Sequence, residues 1–234
     1  MKPILSVKNL TVRFEENIVI ENLSFEIEPG ENLTIIGPNG SGKTVLLKTL
    51  LKCCKYSGEI KWAESVRLGY VPQKIEADRH LPLNLGNFLT AKANVLRVPH
   101  QEVEEVVRAV ELDTKILETS IGHLSGGQFQ KALIAFALLG KPNVILFDEP
   151  TASIDLPREE QVYELIHRLQ DDYQLTVILV SHDLSLVYRY ATRVLCLNKR
   201  GICFGRPAEV LNPHVLEKLY GAPHKYYHHI HEHE

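Results

Sequence analysis

The chain has 234 residues, 44% of them hydrophobic, which is enough to bury the core of one large unit or two small ones. Its net charge of −3 and pI near 6.4 offer no basic field, which argues against nucleic acid as a direct partner. The best apolar run, Ala132 to Leu139, falls far short of the roughly 20 residues that a membrane-spanning helix needs, so a soluble chain is expected that meets a membrane only through a partner.

Taken in order, Leu5 to Phe14 alternates apolar and polar residues, and Ile18–Ile20 and Leu23–Ile27 continue that pattern to Pro29-Gly30. The period of two predicts an antiparallel β-meander ahead of residue 30. Leu33–Ile36 is a further short strand, and Val45, Leu46, Leu47, Leu50 and Leu51 have helical spacing. From about residue 76 to 130 the pattern is helical, with Val103, Val106, Val107 and Val110 on one face, which suggests an inserted helical subdomain. Strands return at Val144–Phe147 and Thr176–Val180, separated by a helix lined by Val162, Leu165, Ile166 and Leu169. Such β-α-β alternation predicts a parallel sheet, with ligands at the carboxyl ends of its strands. Cys53 and Cys54 are adjacent, Cys196 and Cys203 stand far downstream, and none forms a C-x-x-C, so reduced and mostly buried cytosolic thiols are expected.

Between the predicted strand at 33–36 and the helix after it lies Gly37-Pro38-Asn39-Gly40-Ser41-Gly42-Lys43-Thr44, a complete G-x-x-x-x-G-K-[ST] phosphate loop. Backbone N–H groups must come within hydrogen-bond distance of phosphate oxygens, and side chains at Gly37, Gly40 and Gly42 would block that approach. Lys43 would meet the β- and γ-phosphates, Thr44 would offer its hydroxyl to Mg2+, and a helix starting near Ser41 would point its positive end at the same anion. A nucleoside triphosphate with magnesium is the ligand these residues suit.

The strand at 144–147 delivers Asp148 and Glu149 at its tip. Their reach divides the roles: Asp148 on the metal side, Glu149 as the base that polarises the attacking water, with a solvated strand end as the alternative. His182 follows the next strand and is placed to donate to the γ-phosphate or fix that water, although a lone histidine is more often structural. Gln73, in Tyr-Val-Pro-Gln, could contact Mg2+ or water through its amide oxygen.

These elements, with Leu-Ser-Gly-Gly-Gln at 124–128, make the chain resemble the ATP-binding cassette family from about Leu5 to Tyr220. The resemblance rests on Phe14, the loop at 37–44, Gln73, the 124–128 signature, Asp148-Glu149 and His182, in that order, with Asp155 in the connecting loop. It implies an α/β fold of the P-loop NTPase (RecA-like) type: a parallel-sheet core, an N-terminal antiparallel β-subdomain and an inserted α-helical subdomain, forming one ATPase domain over residues 1–220. It further implies a head-to-tail homodimer in which Ser125, Gly126, Gly127 and Gln128 of one subunit face the γ-phosphate of ATP held by the other. Phe14 would stack on adenine, Asp155 would lie near the nucleotide, and Gln73 with the helical subdomain would carry the nucleotide state to an integral membrane permease. The location implied is peripheral, on the cytoplasmic face of the inner membrane. Phe129 and Phe136 stand where many relatives carry polar residues, and the connecting loop reads Ala-Ser-Ile-Asp rather than Ser-Ala-Leu-Asp; neither departure removes a catalytic group.

Five of the eleven histidines lie in residues 221–234, at His224, His228, His229, His231 and His233, interleaved with Glu232 and Glu234. Imidazoles and carboxylates at this density suit zinc, and also nickel, cobalt or copper; a polar terminus without a ligand is the alternative. The tail, together with Val-Pro-Gln followed by Leu81-Pro-Leu83, resembles zinc-uptake cassettes. That resemblance implies zinc import with a separate periplasmic or extracellular metal-binding protein. Manganese, iron or nickel, or a non-metal substrate, are the other options. A non-transport cassette would usually carry two cassettes or long insertions, and a small-molecule kinase would have no use for the 124–128 signature.

Overall fold

A computed structural model of the chain describes residues 2–73, 82–151 and 156–221. Leu81, Asp155 and the tail histidines lie outside the described residues.

The chain opens with β1 (Leu5–Phe14) and β2 (Asn17–Ile27), paired antiparallel. In β1 the buried positions are Leu5 and Val7, then Leu10 and Val12. The phase slips because Asn9 takes a left-handed backbone, φ 50°, at an interruption of the register. The predicted meander is corrected here: the two apolar segments at 18–20 and 23–27 form one continuous strand, and the third strand of this sheet comes later. Next, β3 (Asn32–Ile36) is buried at every position, so it has no polar face for a half-exposed sheet and joins the central one instead. After α1 (Lys43–Leu50), β4 (Ser57–Trp62) takes the free side of β1, giving the order β2-β1-β4.

The chain then enters β5 (Leu68–Val71) and the helical region, α2 (Leu85–Leu96), α3 (Gln101–Ala109), short 3-10 turns at Thr114–Glu118 and Ile121–His123, and α4 (Gly126–Leu138). Val103, Val106, Val107 and Val110 are all buried, as the 3.6-residue spacing predicts, in one cluster with Leu85 and Leu89 of α2 and Leu133 of α4. The remaining elements are β6 (Val144–Asp148), α5 (Leu156–Tyr173), β7 (Thr176–Val180), α6 (Leu184–Tyr190), β8 (Arg193–Asn198), β9 (Arg200–Gly205), α7 (Pro207–Val210) and α8 (Pro213–Tyr220).

The central sheet has the order β5-β6-β7-β3-β8-β9, parallel throughout except for β9, which returns antiparallel along β8. Its strands β6 and β7 are buried at all five positions, the mark of a sheet covered on both faces. β3, β6 and β7 lie side by side, so the segments leaving their carboxyl ends, at 37–44, 148–149 and 181–183, emerge on one edge of the molecule.

The cysteines depart from expectation. Cys196 and Cys203 are register partners across the β8–β9 hairpin, their Cα atoms 4.8 Å apart, and they form a disulfide. Spacing along the chain hides such a pair, because strand register alone brings its members face to face. Cys53 and Cys54 are free thiols, the first exposed and the second half-buried.

Candidate functional site

The phosphate loop begins where β3 ends. Helix α1 starts at Lys43 rather than near Ser41, because Gly42 at its N-cap holds a left-handed φ of 101° that cannot be helical. A Cβ on Gly37 would come within 2.0 Å of the Leu197 carbonyl oxygen on β8, and one on Gly42 would press within 3.2 Å of Val19. Gly40, with φ 78°, faces open space. Substituting Gly37 with Ala must therefore displace either the loop or strand β8. We expect the melting temperature to fall by several degrees, reflecting a cost of about 1–3 kcal/mol, with nucleotide binding lost in parallel, as calorimetry with and without ATP would show.

The Lys43 ammonium folds back onto the loop, donating to the carbonyls of Gly37 at 2.9 Å and Pro38 at 3.2 Å. It also lies 3.8 Å from a Glu149 carboxylate oxygen. Burial pushes its pKa below the ordinary lysine range, against the opposing pull of Glu149 and Asp148. The Thr44 hydroxyl donates to Asp148 Oδ1 at 2.9 Å. Asp148 is buried at the end of β6, and that burial pushes its carboxyl pKa up, while the Thr44 hydrogen bond works the other way. One residue on, Glu149 accepts from the Gln73 side-chain amide at 2.6 Å. Its backbone φ is 48°, a left-handed conformation that costs a non-glycine residue about 1–3 kcal/mol.

Lys43, Thr44, Gln73 and Glu149 line one cleft of about 430 Å³, with Asn39, Gly40, Gly42, Val19 and Val45 completing its wall. A groove of about 520 Å³ lies elsewhere, between residues 21–24 and 200–204, and holds none of these groups. Two of the expected residues stand apart from the cleft: His182 is exposed, one residue past the buried Ser181, and Phe14 is 47% exposed at the end of β1.

The signature is separate as well. Ser125 caps α4 in a reciprocal capping box, with Gln128 N–H donating to the Ser125 hydroxyl at 3.3 Å and Ser125 N–H donating to the Gln128 side-chain oxygen at 3.0 Å. Among the described residues, a Cβ on Gly126 or Gly127 would meet nothing within 4 Å. Helix α4 thus presents a glycine-lined N-terminus to its surroundings, a place where backbone N–H groups and the helix dipole favour an anion.

The sequence reading passed over Tyr70. Its hydroxyl lies 3.4 Å from Asp148 Oδ2, and burial followed by the nearby Asp148 charge pushes its pKa up to about 12. The sequence shows only a phenol three residues before Gln73; its place beside Asp148 comes from the register of β5 on β6.

A glycine loop between a buried strand and a helix, two acids at the tip of a neighbouring strand, and a second glycine-lined helix start define a P-loop nucleotide-binding cassette. The family described as ABC transporter matches residues 20–152, and the chain belongs to it. It is 37% identical to the zinc import ATP-binding protein ZnuC of Haemophilus influenzae over 221 residues, covering 94% of this chain and 81% of that protein. It is also 37% identical to the ZnuC protein of Brucella abortus over 235 residues, 98% of this chain and 78% of the relative. Among solved structures, an ABC transporter of the metal-chelate type in an inward-facing conformation superposes with a TM-score of 0.86 at 27% identity, over 95% of this chain and 90% of that one. The chain is accordingly an ATP-binding ATPase of the ABC class.

The residues present fit ATP with magnesium. Gly40 and Gly42 line the cleft without side chains, and the buried Ser41 hydroxyl has no hydrogen-bond partner among the described residues. Thr44 and Asp148 form the all-oxygen donor set that hard Mg2+ prefers. Among the described residues no helix is long and apolar enough to cross a membrane.

Proposed function

We propose that this chain is the ATP-hydrolysing subunit of an importer for a divalent transition metal, zinc in the first place, working as a homodimer on the cytoplasmic face of the inner membrane. The partners in this reading are a separate integral membrane permease and an extracytoplasmic metal-binding protein. The observation that carries the ATPase chemistry is that Lys43, Thr44, Gln73 and Glu149 line one cleft, with Gln73 bonded to Glu149 and Thr44 bonded to the buried Asp148. Zinc as substrate is supported by relatives that are named for zinc import and cover more than nine-tenths of the chain.

In this reading Lys43 gives up its loop carbonyls to hold the β- and γ-phosphates, and Thr44 and Asp148, with Gln73, hold Mg2+. Magnesium supplies the positive charge that offsets the phosphate oxygens as the γ-phosphoryl is transferred. Glu149, whose carboxylate is already oriented by Gln73, accepts a proton from the attacking water. His182 donates to the γ-phosphate, Phe14 stacks on adenine, and Asp155 belongs to the nucleotide-binding set. The dimer is supported by Gly126 and Gly127, whose lack of side chains is not required by any contact among the described residues.

Metal content decides the substrate. In cells carrying Glu149→Gln in place of the native protein under metal limitation, mass spectrometry should find total zinc selectively lowered. A fall confined to manganese, iron or nickel would replace zinc, and unchanged metals would overturn the metal-importer reading.

The histidine tail is read as a zinc sensor that restrains hydrolysis. Helix α8, which precedes it, is tied to the phosphate loop: Asn198 donates to the Leu219 carbonyl at 3.2 Å, and Lys199 N–H donates to the Ser41 carbonyl at 3.3 Å. Removing residues 224–234 is expected to abolish the zinc response of the ATPase and to leave its basal rate unchanged. A response that survives truncation would overturn the sensor reading.

A further inference from the structure

Asp148 is 2% exposed, and its two carboxylate oxygens have different partners: Thr44 on Oδ1 at 2.9 Å and Tyr70 on Oδ2 at 3.4 Å. Thr44 belongs to the phosphate loop. Tyr70 belongs to β5, which borders β6 in parallel register, Tyr70 opposite Leu146. Leu146 and Asp148 point to the same face of β6, two residues apart, so the register brings the phenol to the carboxylate.

Three residues beyond Tyr70 on the same segment, Gln73 donates to Glu149. The stretch Tyr70-Val71-Pro72-Gln73 therefore holds both neighbouring acids, one through a phenol and the other through an amide. Pro72 stiffens the connection, because its ring fixes φ.

We propose that Tyr70 is a positioning residue for the metal-side carboxylate, setting the orientation in which Asp148 meets Mg2+ and coupling it to the segment that carries Gln73. The inference rests on the ATPase reading of the cleft. A buried carboxylate with only Thr44 as partner can swing about its Cβ–Cγ bond, since a single hydrogen bond fixes one oxygen and leaves the plane of the group free. A donor on the second oxygen removes that freedom. At 3.4 Å the phenol bond is long, so it acts as a stop on rotation more than as a source of stability. Groups behind a metal ligand commonly change metal affinity by about 10- to 100-fold when removed, and a long bond belongs at or below the lower end of that range.

The test is Tyr70→Phe, which keeps the ring and deletes only the hydroxyl. We expect Mn2+, measured by electron paramagnetic resonance in the presence of a non-hydrolysable ATP analogue, to bind about 3- to 10-fold more weakly. The Mg2+ concentration for half-maximal hydrolysis should rise by the same factor, while nucleotide affinity in EDTA and the melting temperature stay at native values. Native Mn2+ affinity with an unchanged Mg2+ requirement would overturn the proposal. A loss of metal-free nucleotide binding together with a lowered melting temperature would overturn it too, since the hydroxyl would then serve packing. If instead the native protein bound no Mn2+ with nucleotide and did not hydrolyse ATP, the ATPase reading itself would fail, an outcome distinct from either result with the variant.

Discussion

Replacing Glu149 with glutamine is expected to lower ATP hydrolysis by about 10²- to 10⁴-fold, the usual contribution of a general base, while ATP still binds. The substitution changes little else. Glutamine has the same length, its side-chain oxygen can still accept from Gln73, and the left-handed backbone at φ 48° costs one non-glycine residue about what it costs another. What disappears is the charge that takes up the proton and that sits 3.8 Å from Lys43. Since the Lys43 ammonium is buried and held in part by that charge, its affinity for an incoming phosphate should not weaken when a competing anion is removed. ATP should therefore persist uncleaved, and the ATP-dependent dimer should accumulate. Single-turnover hydrolysis and size-exclusion chromatography with ATP check both halves. Native turnover in the variant would remove Glu149 from the role of base.

The parts of the site that were legible in the sequence are local in the chain. Residues 33–50 carry strand, glycine loop and helix in order, and Val144–Glu149 carries an apolar strand with acids at its tip, so short-range patterning suffices to find Lys43, Thr44, Asp148 and Glu149. The parts that were missed depend on which strand lies beside which. Nothing around Ser57–Trp62 announces that it pairs with β1 across the phosphate loop and its helix, and Cys196 meets Cys203 only through the hairpin register. Tyr70 reads as one more apolar strand residue until β5 is laid against β6. The antiparallel pairing of the first two strands was legible in their alternation, but that alternation cannot show that their sheet takes its third strand from beyond the phosphate loop. The start of α1 was misplaced by a single backbone angle, at Gly42.

Whether the nucleotide is shared between two subunits can be decided with two variants that are each inactive. Lys43→Ala removes the buried cation and its bonds to Gly37 and Pro38; charge-assisted bonds of about 1.5–3 kcal/mol imply an ATP affinity lower by about 10- to 100-fold. Gly127→Glu should behave differently. A Cβ there meets nothing within 4 Å among the described residues, glutamate is a better helix former than glycine, and an acid in the first turn of α4 suits the helix dipole. The variant is therefore expected to melt at or above the native temperature and to bind ATP normally in its own loop. Yet it should not hydrolyse ATP, because the added carboxylate occupies the place where a partner's γ-phosphate would approach the α4 N-terminus. A more stable protein without activity would mean that Gly127 serves something beyond its own chain. Mixing the two variants then tests the partner directly: each mixed dimer has one site that combines an intact loop with an intact signature. Hydrolysis in the mixture should exceed that of either variant alone. If Gly127→Glu alone hydrolysed ATP at the native rate, or if mixing restored nothing while mixed dimers formed, the shared site would be wrong and the open glycines of α4 would need another explanation.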